Sequence, residues 1–155
     1  MDSLTNRVCR LVSGGFSTLI SIAENSAPEM VMEEAIREID SAMDEVRAEL
    51  GSVIAKKHLA KTRLNAETNK HADLATKIGL AVREKRDDLA ETAISRQLDV
   101  EALFPVLNAN INDCKAHEKE LEDFLRALNA KKREMMEELQ HYQESKKLSS
   151  PLIYS

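Results

Sequence analysis

Residues 32–81 read MEEAIREIDSAMDEVRAELGSVIAKKHLAKTRLNAETNKHADLATKIGLA. Apolar side chains recur here in alternating steps of three and four residues, with interruptions at Lys57, Glu67 and His71. A 3.5-residue repeat held over so long a stretch is typical of a coiled-coil seam. The apolar set is Met32, Ile36, Ile39, Met43, Val46, Leu50, Val53, Ala60, Leu64, Leu74, Ile78 and Ala81.

A second run with the same repeat extends from Ala93 to Tyr142, and its interruptions are Gln97, Glu118 and Lys132. The two runs are joined by the short polar stretch 83–88. This arrangement predicts an all-α fold, in which a long antiparallel coiled-coil hairpin is preceded by a short amphipathic N-terminal helix. We expect arms at about 28–83 and 87–147 and a flexible tail over 148–155.

Two prolines refine this layout. Pro28 suits the first position of a helix, because its missing N–H would be unpaired there in any case. Pro105 lies inside the second arm, where it removes a backbone donor, and it predicts a kink.

Residues 1–24 carry a different pattern, which we interpret as an amphipathic membrane-binding helix. Bulky apolar residues cover about half of its wheel, and small residues with only Arg7 and Arg10 cover the rest. Such a helix suits insertion into a curved or strained bilayer, with both arginines at the headgroups. The predicted membrane-binding residues are Leu4, Arg7, Val8, Arg10, Leu11, Phe16, Leu19 and Ile20. The alternative is that the segment packs on the hairpin or on a neighbouring subunit.

Composition bears on the class of function. The net charge is −5 and aromatic residues make up 3% of the chain, which argues against nucleic-acid binding. We find no glycine-rich phosphate loop, zinc-ligand cluster or nucleophile–base pair, so we expect neither enzymatic activity nor a cofactor. Cys9 and Cys114 are isolated and read as reduced thiols. With no signal peptide or membrane span in the sequence, we expect a cytoplasmic protein with peripheral membrane contact.

Charge is distributed in blocks along the chain. Residues 24–50 carry a net charge of −7, residues 51–86 carry +6, and residues 87–125 carry −7. Within one hairpin we expect the first acidic block to lack an intramolecular match. A staggered neighbouring molecule could then supply its basic block. The charge pattern would in that case set the stagger between hairpins that assemble side by side. Ordinary solvated helix faces are the other reading.

Three polar residues interrupt the seams near the hairpin tip, which is the reversal at residues 83–88. Glu67 and His71 are four residues apart, and Gln97 lies at a similar distance from the reversal. They could form one buried polar layer that sets register, or a pH-sensitive weak point. The more common outcome for such residues is a satisfied or snorkelling pair.

The layout resembles the phage shock protein A family, in the bacterial branch of the ESCRT-III superfamily. Three blocks, in matching order and spacing, carry the resemblance over most of residues 4–147. They are Ala27-Pro28, the stretch Ile36-Arg37-Glu38-Ile39-Asp40 through Asp44-Glu45-Val46-Arg47, and Lys85-Arg86-Asp87-Asp88-Leu89-Ala90.

The resemblance implies peripheral attachment to the inner face of the cytoplasmic membrane under envelope stress. It also implies polymerisation of hairpins into rods or rings that bind anionic or curved membranes, with Arg47 as an oligomer contact. In some members the hairpin inhibits a AAA+ transcription activator. Here the tip residues for such a contact would be Arg86, Asp87, Asp88 and Leu89.

The chain departs from the family pattern in three places. The position expected to hold the acidic partner of Arg47 is Asn129, and Glu91 stands where an arginine is common. The sequence ends near residue 155, before the further helices of most members, so we expect either a truncated chain or a short variant. Two other readings stay open: a soluble regulator that docks through the tip, and a plain coiled-coil spacer.

Overall fold

The computed structural model describes residues 2–14 and 28–149, and this part of the chain holds three α-helices and no strand. They are α1, Asp2–Ser13, α2, Pro28–Arg83, and α3, Asp87–Ser149. The two long helices pack against each other as an antiparallel hairpin, and α1 is the short helix that precedes it. The predicted fold class is therefore confirmed.

The helix ends follow ordinary electrostatics. Pro28 opens α2 and Glu29 lies in its first turn, while Asp87 and Asp88 open α3. Arg83 lies in the last turn of α2. Acidic groups at helix N-termini and basic groups at C-termini complement the helix dipole.

The reversal between α2 and α3 is a Schellman motif built without glycine. Lys85 takes the left-handed conformation, with φ of 56°. The Arg86 N–H donates to the carbonyl of Ala81 over 2.8 Å, and the Lys85 N–H donates to the carbonyl of Val82 over 3.2 Å. These two bonds satisfy carbonyls that the end of α2 would otherwise leave unpaired.

Contacts divide the chain into two units, of which the first comprises Met1–Leu50 and Glu120–Ser155. Its described part contains α1, the start of α2 and the end of α3. Gln143 donates to Glu29 over 2.7 Å, and Lys132, a seam interruption, pairs with Asp40 at 2.6 Å. Eleven residues separate the two contacts on each helix, as an antiparallel pairing requires. The largest fully buried side chains are Ile39, Leu121, Leu128, Met135, Val8 and Val46.

The second unit, Gly51–Lys119, contains the tip and has two helices only. Its buried side chains are Val53, Leu74, Ala81, Ala90, Val100, Leu107 and Ile111. Lys57 and Glu118, which interrupt the two seams, form a direct ion pair in which each side chain is about one-fifth exposed, at 20% and 19%. The interruptions are thus one matched polar layer.

A second polar layer surrounds His71. Its Nε2 lies 2.8 Å from Oε1 of Glu101, and the Gln97 amide donates to its backbone carbonyl over 3.3 Å. The His71 ring also lies 5.7 Å from the ring of Phe104. Glu67 is not part of this layer, because it pairs with Lys70 on its own helix at 3.7 Å. His71 and Gln97 are thus in contact, but the predicted single layer with Glu67 does not form: Glu67 and His71 each have a separate partner, Lys70 and Glu101.

Pro105 is exposed within α3, which continues as a helix on both sides of it. Since proline lacks an N–H, the carbonyl of Glu101 receives no helical hydrogen bond from this position. The kink expected near Pro105 stays a prediction.

Candidate functional site

An ion pair places α1 beside α2. The guanidinium of Arg7 meets the carboxylate of Glu45 through two contacts, each 3.2 Å long. The side chain of Arg7 is 28% exposed and that of Glu45 is 51% exposed. A two-pronged contact of this kind orients the partners as well as attracting them, because the planar guanidinium matches the carboxylate.

The apolar face of α1 is turned onto the hairpin. Val8 is only 2% exposed, and Leu4, Leu11 and Val12 are half-buried. A helix of 12 residues cannot bury one of its own side chains to this degree, so other parts of the first unit cover it. Arg10 points to solvent. The face predicted to insert into lipid is thus occupied by protein in this conformation.

Part of the predicted membrane-binding set cannot be placed in this way. Phe16, Leu19 and Ile20 lie outside the described residues. Lipid contact by the whole set stays a prediction.

Two alanines mark the footprint of α1 on α2. Ala35 and Ala42 are 8% and 0% exposed although neither belongs to the seam. At 3.6 residues per turn, Ala42 lies about 80° around the helix from the seam centre, on the side of Glu45. The same heptad positions further along α2 hold the exposed side chains Lys56, Arg63 and Lys70. The extra burial at the alanines lies in the part of α2 where the Arg7–Glu45 pair places α1.

Sequence reasoning missed both Ala42 and Glu45 as partners of α1. A signal was present, because small side chains stand seven residues apart beside the seam at Ala35 and Ala42, whereas the positions that continue this spacing along α2 hold charged residues, Glu49, Lys56, Arg63, Lys70 and Lys77. Small residues let helix backbones approach closely, so this repeat widens the apolar stripe enough for a third helix.

The four predicted tip residues lie together at the start of α3. Arg86 pairs with Asp88 at 3.3 Å, and Asp87 is exposed. Leu89 is 50% exposed and faces Leu80, 53% exposed, across a groove of about 400 Å³. The groove is lined by Leu74, Lys77, Leu80, Ala81, Glu84, Leu89, Thr92, Ala93 and Arg96. The tip thus presents apolar side chains within a charged rim.

Arg86 acts electrostatically on the carboxyl group of Asp88. The guanidinium of Arg86 lowers the pKa of Asp88 below its ordinary value of 3.8, and a backbone hydrogen bond from Leu89 lowers this pKa further. Both interactions favour the ionised form, which also suits the positive end of the α3 dipole.

Arg47, the predicted oligomer contact, is exposed on α2. It pairs with Asp44 on the same helix at 3.3 Å, and 58% of its side chain is exposed. Asn129 lines a different feature, an open groove of about 900 Å³ whose walls include Arg37 and Met136. The role of Arg47 between subunits stays a prediction.

The charge blocks are better matched inside the chain than the sequence suggested. We expected the acidic block 24–50 to be left without an intramolecular match, and this expectation was wrong. Three acids of this block have basic partners outside the block and within the first unit: Glu29 with Lys146 at 3.8 Å, Asp40 with Lys132 at 2.6 Å, and Glu45 with Arg7 at 3.2 Å.

Within the described residues, no helix is long and apolar enough to cross a bilayer. The same part of the chain contains no group of three or more potential metal ligands. The candidate features described above are surfaces: the face of α1, the tip groove and the charged flanks of the hairpin.

A long antiparallel helical hairpin preceded by a short amphipathic helix defines the class of protein to which this fold belongs. The model of the PspA/IM30 family matches residues 3–149, and the chain belongs to this family. The resemblance to the phage shock protein A family is thereby confirmed.

A relative supports the same placement. The chain is similar to the membrane-associated protein Vipp1 of Synechocystis sp., with 25% identity over 128 residues. The matched region covers 83% of this chain and 47% of Vipp1, so the chain spans about half the length of the curated relative it matches.

Proposed function

We propose that this protein is a peripheral, self-assembling, ESCRT-III-like scaffold without enzymatic activity, which remodels or protects the cytoplasmic membrane under envelope stress. It acts at the inner face of that membrane. The observation that carries the proposal is the continuous apolar face of α1, formed by Leu4, Val8 and Leu11, in a family that includes a protein named for its membrane association.

The energetics of α1 support this role. Complete burial of a Leu or Val side chain contributes roughly 1.5–3 kcal/mol, so three such residues could offset the cost of ordering a short helix at the bilayer surface. Arg10 is already exposed at the polar boundary, where it would meet phosphate headgroups. With so few basic residues, affinity should depend on lipid packing more than on surface charge.

Self-assembly is supported by the outer faces of the hairpin. Large apolar side chains stay exposed there, among them Leu59 at 67%, Leu98 at 58% and Val106 at 56%. They lie beside the exposed bases of residues 51–86, which could attract an acidic stretch of a neighbouring molecule. Arg47 is available for the same purpose. The partners we propose are thus lipid and further copies of this chain.

Co-sedimentation with small and large anionic liposomes tests the membrane role, and negative-stain electron microscopy of the pellet tests assembly. We expect binding that favours small vesicles, and rods or rings on deformed membranes. The double variant Leu11→Asp/Phe16→Asp should abolish binding, because it places two charges on the inserted face.

The matched control is Asn6→Asp/Ser13→Asp, which adds the same charge at exposed positions of α1. It should retain most of the binding. If the Leu11→Asp/Phe16→Asp variant binds vesicles as well as the unmodified protein does, α1 is not the membrane contact.

The second candidate function is a soluble regulator that inhibits a AAA+ transcription activator through the hairpin tip. The half-exposed pair Leu80 and Leu89, on either side of the tip groove, favours it. Deletion of residues 1–24 should abolish lipid binding and leave inhibition of the activator's ATPase intact. Leu89→Asp should retain lipid binding and abolish inhibition of the activator's ATPase. Unchanged inhibition by Leu89→Asp would exclude the tip groove as the docking surface.

A further inference from the structure

We infer that the hairpin is an autoinhibitory partner of α1, and that α1 must leave the surface around Ala42 and Glu45 before it can bind lipid. This inference rests on the proposed function and adds its regulation. The same side chains, Val8 above all, cannot be packed on α2 and inserted in a bilayer at the same time.

We call the contact between α1 and α2 the latch, and it comprises Val8, Ala42 and the Arg7–Glu45 ion pair. Val8 is 2% exposed, and Ala42, on the facing side of α2, is completely buried. The Arg7–Glu45 pair flanks this packing with two 3.2 Å contacts. Apolar packing thus supplies the attraction, and the ion pair fixes the position of α1 along α2.

The latch is also built to release. The Nε of Arg7 is buried and has no hydrogen-bond partner among the described residues. A buried donor without a partner destabilises the packed state, and release into water or onto a phosphate headgroup would satisfy it. Half of the Glu45 side chain is exposed, so water and salt can compete for the ion pair.

The equilibrium between packed and released α1 sets the apparent affinity for membranes. Only the released fraction can bind, and a mutation that raises this fraction raises the affinity by the same factor. Lipid and hairpin therefore compete for one face of α1, and anything that weakens the Arg7–Glu45 pair favours lipid.

The first test compares Glu45→Gln with Glu33→Gln in the full chain. Both changes remove one negative charge from α2, but Glu33 is exposed and lies on the opposite face of α2 from Ala42. Hydrogen exchange should become faster in residues 2–13 of Glu45→Gln only. Affinity for small anionic vesicles should rise about three- to fivefold in that variant, the factor that corresponds to a partly exposed ion pair.

The second test separates the latch from the net charge of the protein. Arg7→Glu opens the latch, and Arg7→Glu/Glu45→Arg restores the pair with the charges exchanged. The double variant is less negatively charged than Arg7→Glu, so net charge alone predicts that the double variant binds anionic vesicles more tightly than Arg7→Glu. The latch predicts weaker binding and slower exchange in α1 than in Arg7→Glu.

The outcomes distinguish this inference from the proposed function. Unchanged exchange and unchanged binding in Glu45→Gln, while Leu11→Asp/Phe16→Asp abolishes binding, would overturn the latch and leave the membrane role intact. Faster exchange in α1 without binding by either the unmodified protein or Glu45→Gln would support the latch and contradict the membrane role.

Discussion

Charged residues inside an apolar seam are the most informative single positions in this chain. Lys57 and Glu118 interrupt the two seams, and they meet as a pair with most of both side chains withdrawn from water. Removing one partner would leave the other half of the pair poorly solvated, whereas removing both would leave only apolar contact.

The prediction concerns the free energy of unfolding. Lys57→Met alone should lower it by about 1–3 kcal/mol, since the Glu118 carboxylate loses its partner. Lys57→Met/Glu118→Leu should return it to within about 1 kcal/mol of the unmodified protein, or above it. Urea unfolding followed by circular dichroism measures both, with Lys56→Met at an exposed position as the control. Equal losses in the single and double variants would contradict the pairing.

Asp88 gives a prediction about acid. Its pKa is lowered by Arg86, so the group stabilises the folded state above its unfolded pKa, and this contribution is lost as the pH falls through the folded value. Carboxyl-detected NMR titration should find the pKa of Asp88 below 3.8. Arg86→Gln should raise it, while Arg83→Gln, at the end of α2, should leave it in place. A pKa that does not change in Arg86→Gln would show that backbone bonds alone hold the carboxylate.

At the scale of single elements, the turn between α2 and α3 is the least expected feature. The left-handed residue of a Schellman motif is usually glycine, and here it is Lys85 with φ of 56°. A lysine in this conformation carries a steric penalty from its Cβ, which glycine avoids.

Lys85→Gly should therefore raise the free energy of unfolding by roughly 0.5–1 kcal/mol, after allowance for the greater freedom of glycine in the unfolded chain. Lys85→Ala is the matched control, because it removes the charge and keeps the Cβ. We expect no gain from it in thermal or urea unfolding. A gain of the same size from alanine would mean that charge, not backbone conformation, limits the turn.

The elements also differ in how well the sequence predicts them. The seams of α2 and α3 follow from the 3.5-residue repeat, because burial of one stripe depends on local spacing alone. The position of the turn was marked only by polar residues, since neither glycine nor proline is present there. The packing of α1 on α2 was open, because an amphipathic face fits protein and lipid equally well.

At the scale of the whole molecule, burial is concentrated in the first unit. All six of the largest fully buried side chains lie there, where three helices meet. In the second unit, no described α2 residue between Val53 and Leu74 is buried. Local opening requires less energy where fewer apolar contacts must be broken.

Hydrogen exchange followed by mass spectrometry should thus be slower in peptides from residues 36–46 than in peptides from residues 57–71. The comparison is made within one helix, so helix propensity and instrument conditions are shared. Equal protection in the two stretches, or greater protection in 57–71, would contradict a stability that follows burial.

The sequence by itself determined the all-α class, the two long apolar seams and the amphipathic character of the N-terminal segment. These properties depend on the spacing of residues within one helix, and a 3.5-residue period can be read directly. The family resemblance was readable for the same reason, because its blocks keep their order and spacing along the chain.

Only the tertiary structure decided which groups meet across elements. Arg7 with Glu45, Lys57 with Glu118 and His71 with Glu101 are separated by 30 or more residues, and no local period encodes such partners. The structure also decided that α1 lies beside α2 and that Val8 on its apolar face is buried. The free energy of that contact depends on small side chains in another helix, which the pattern of α1 alone does not contain.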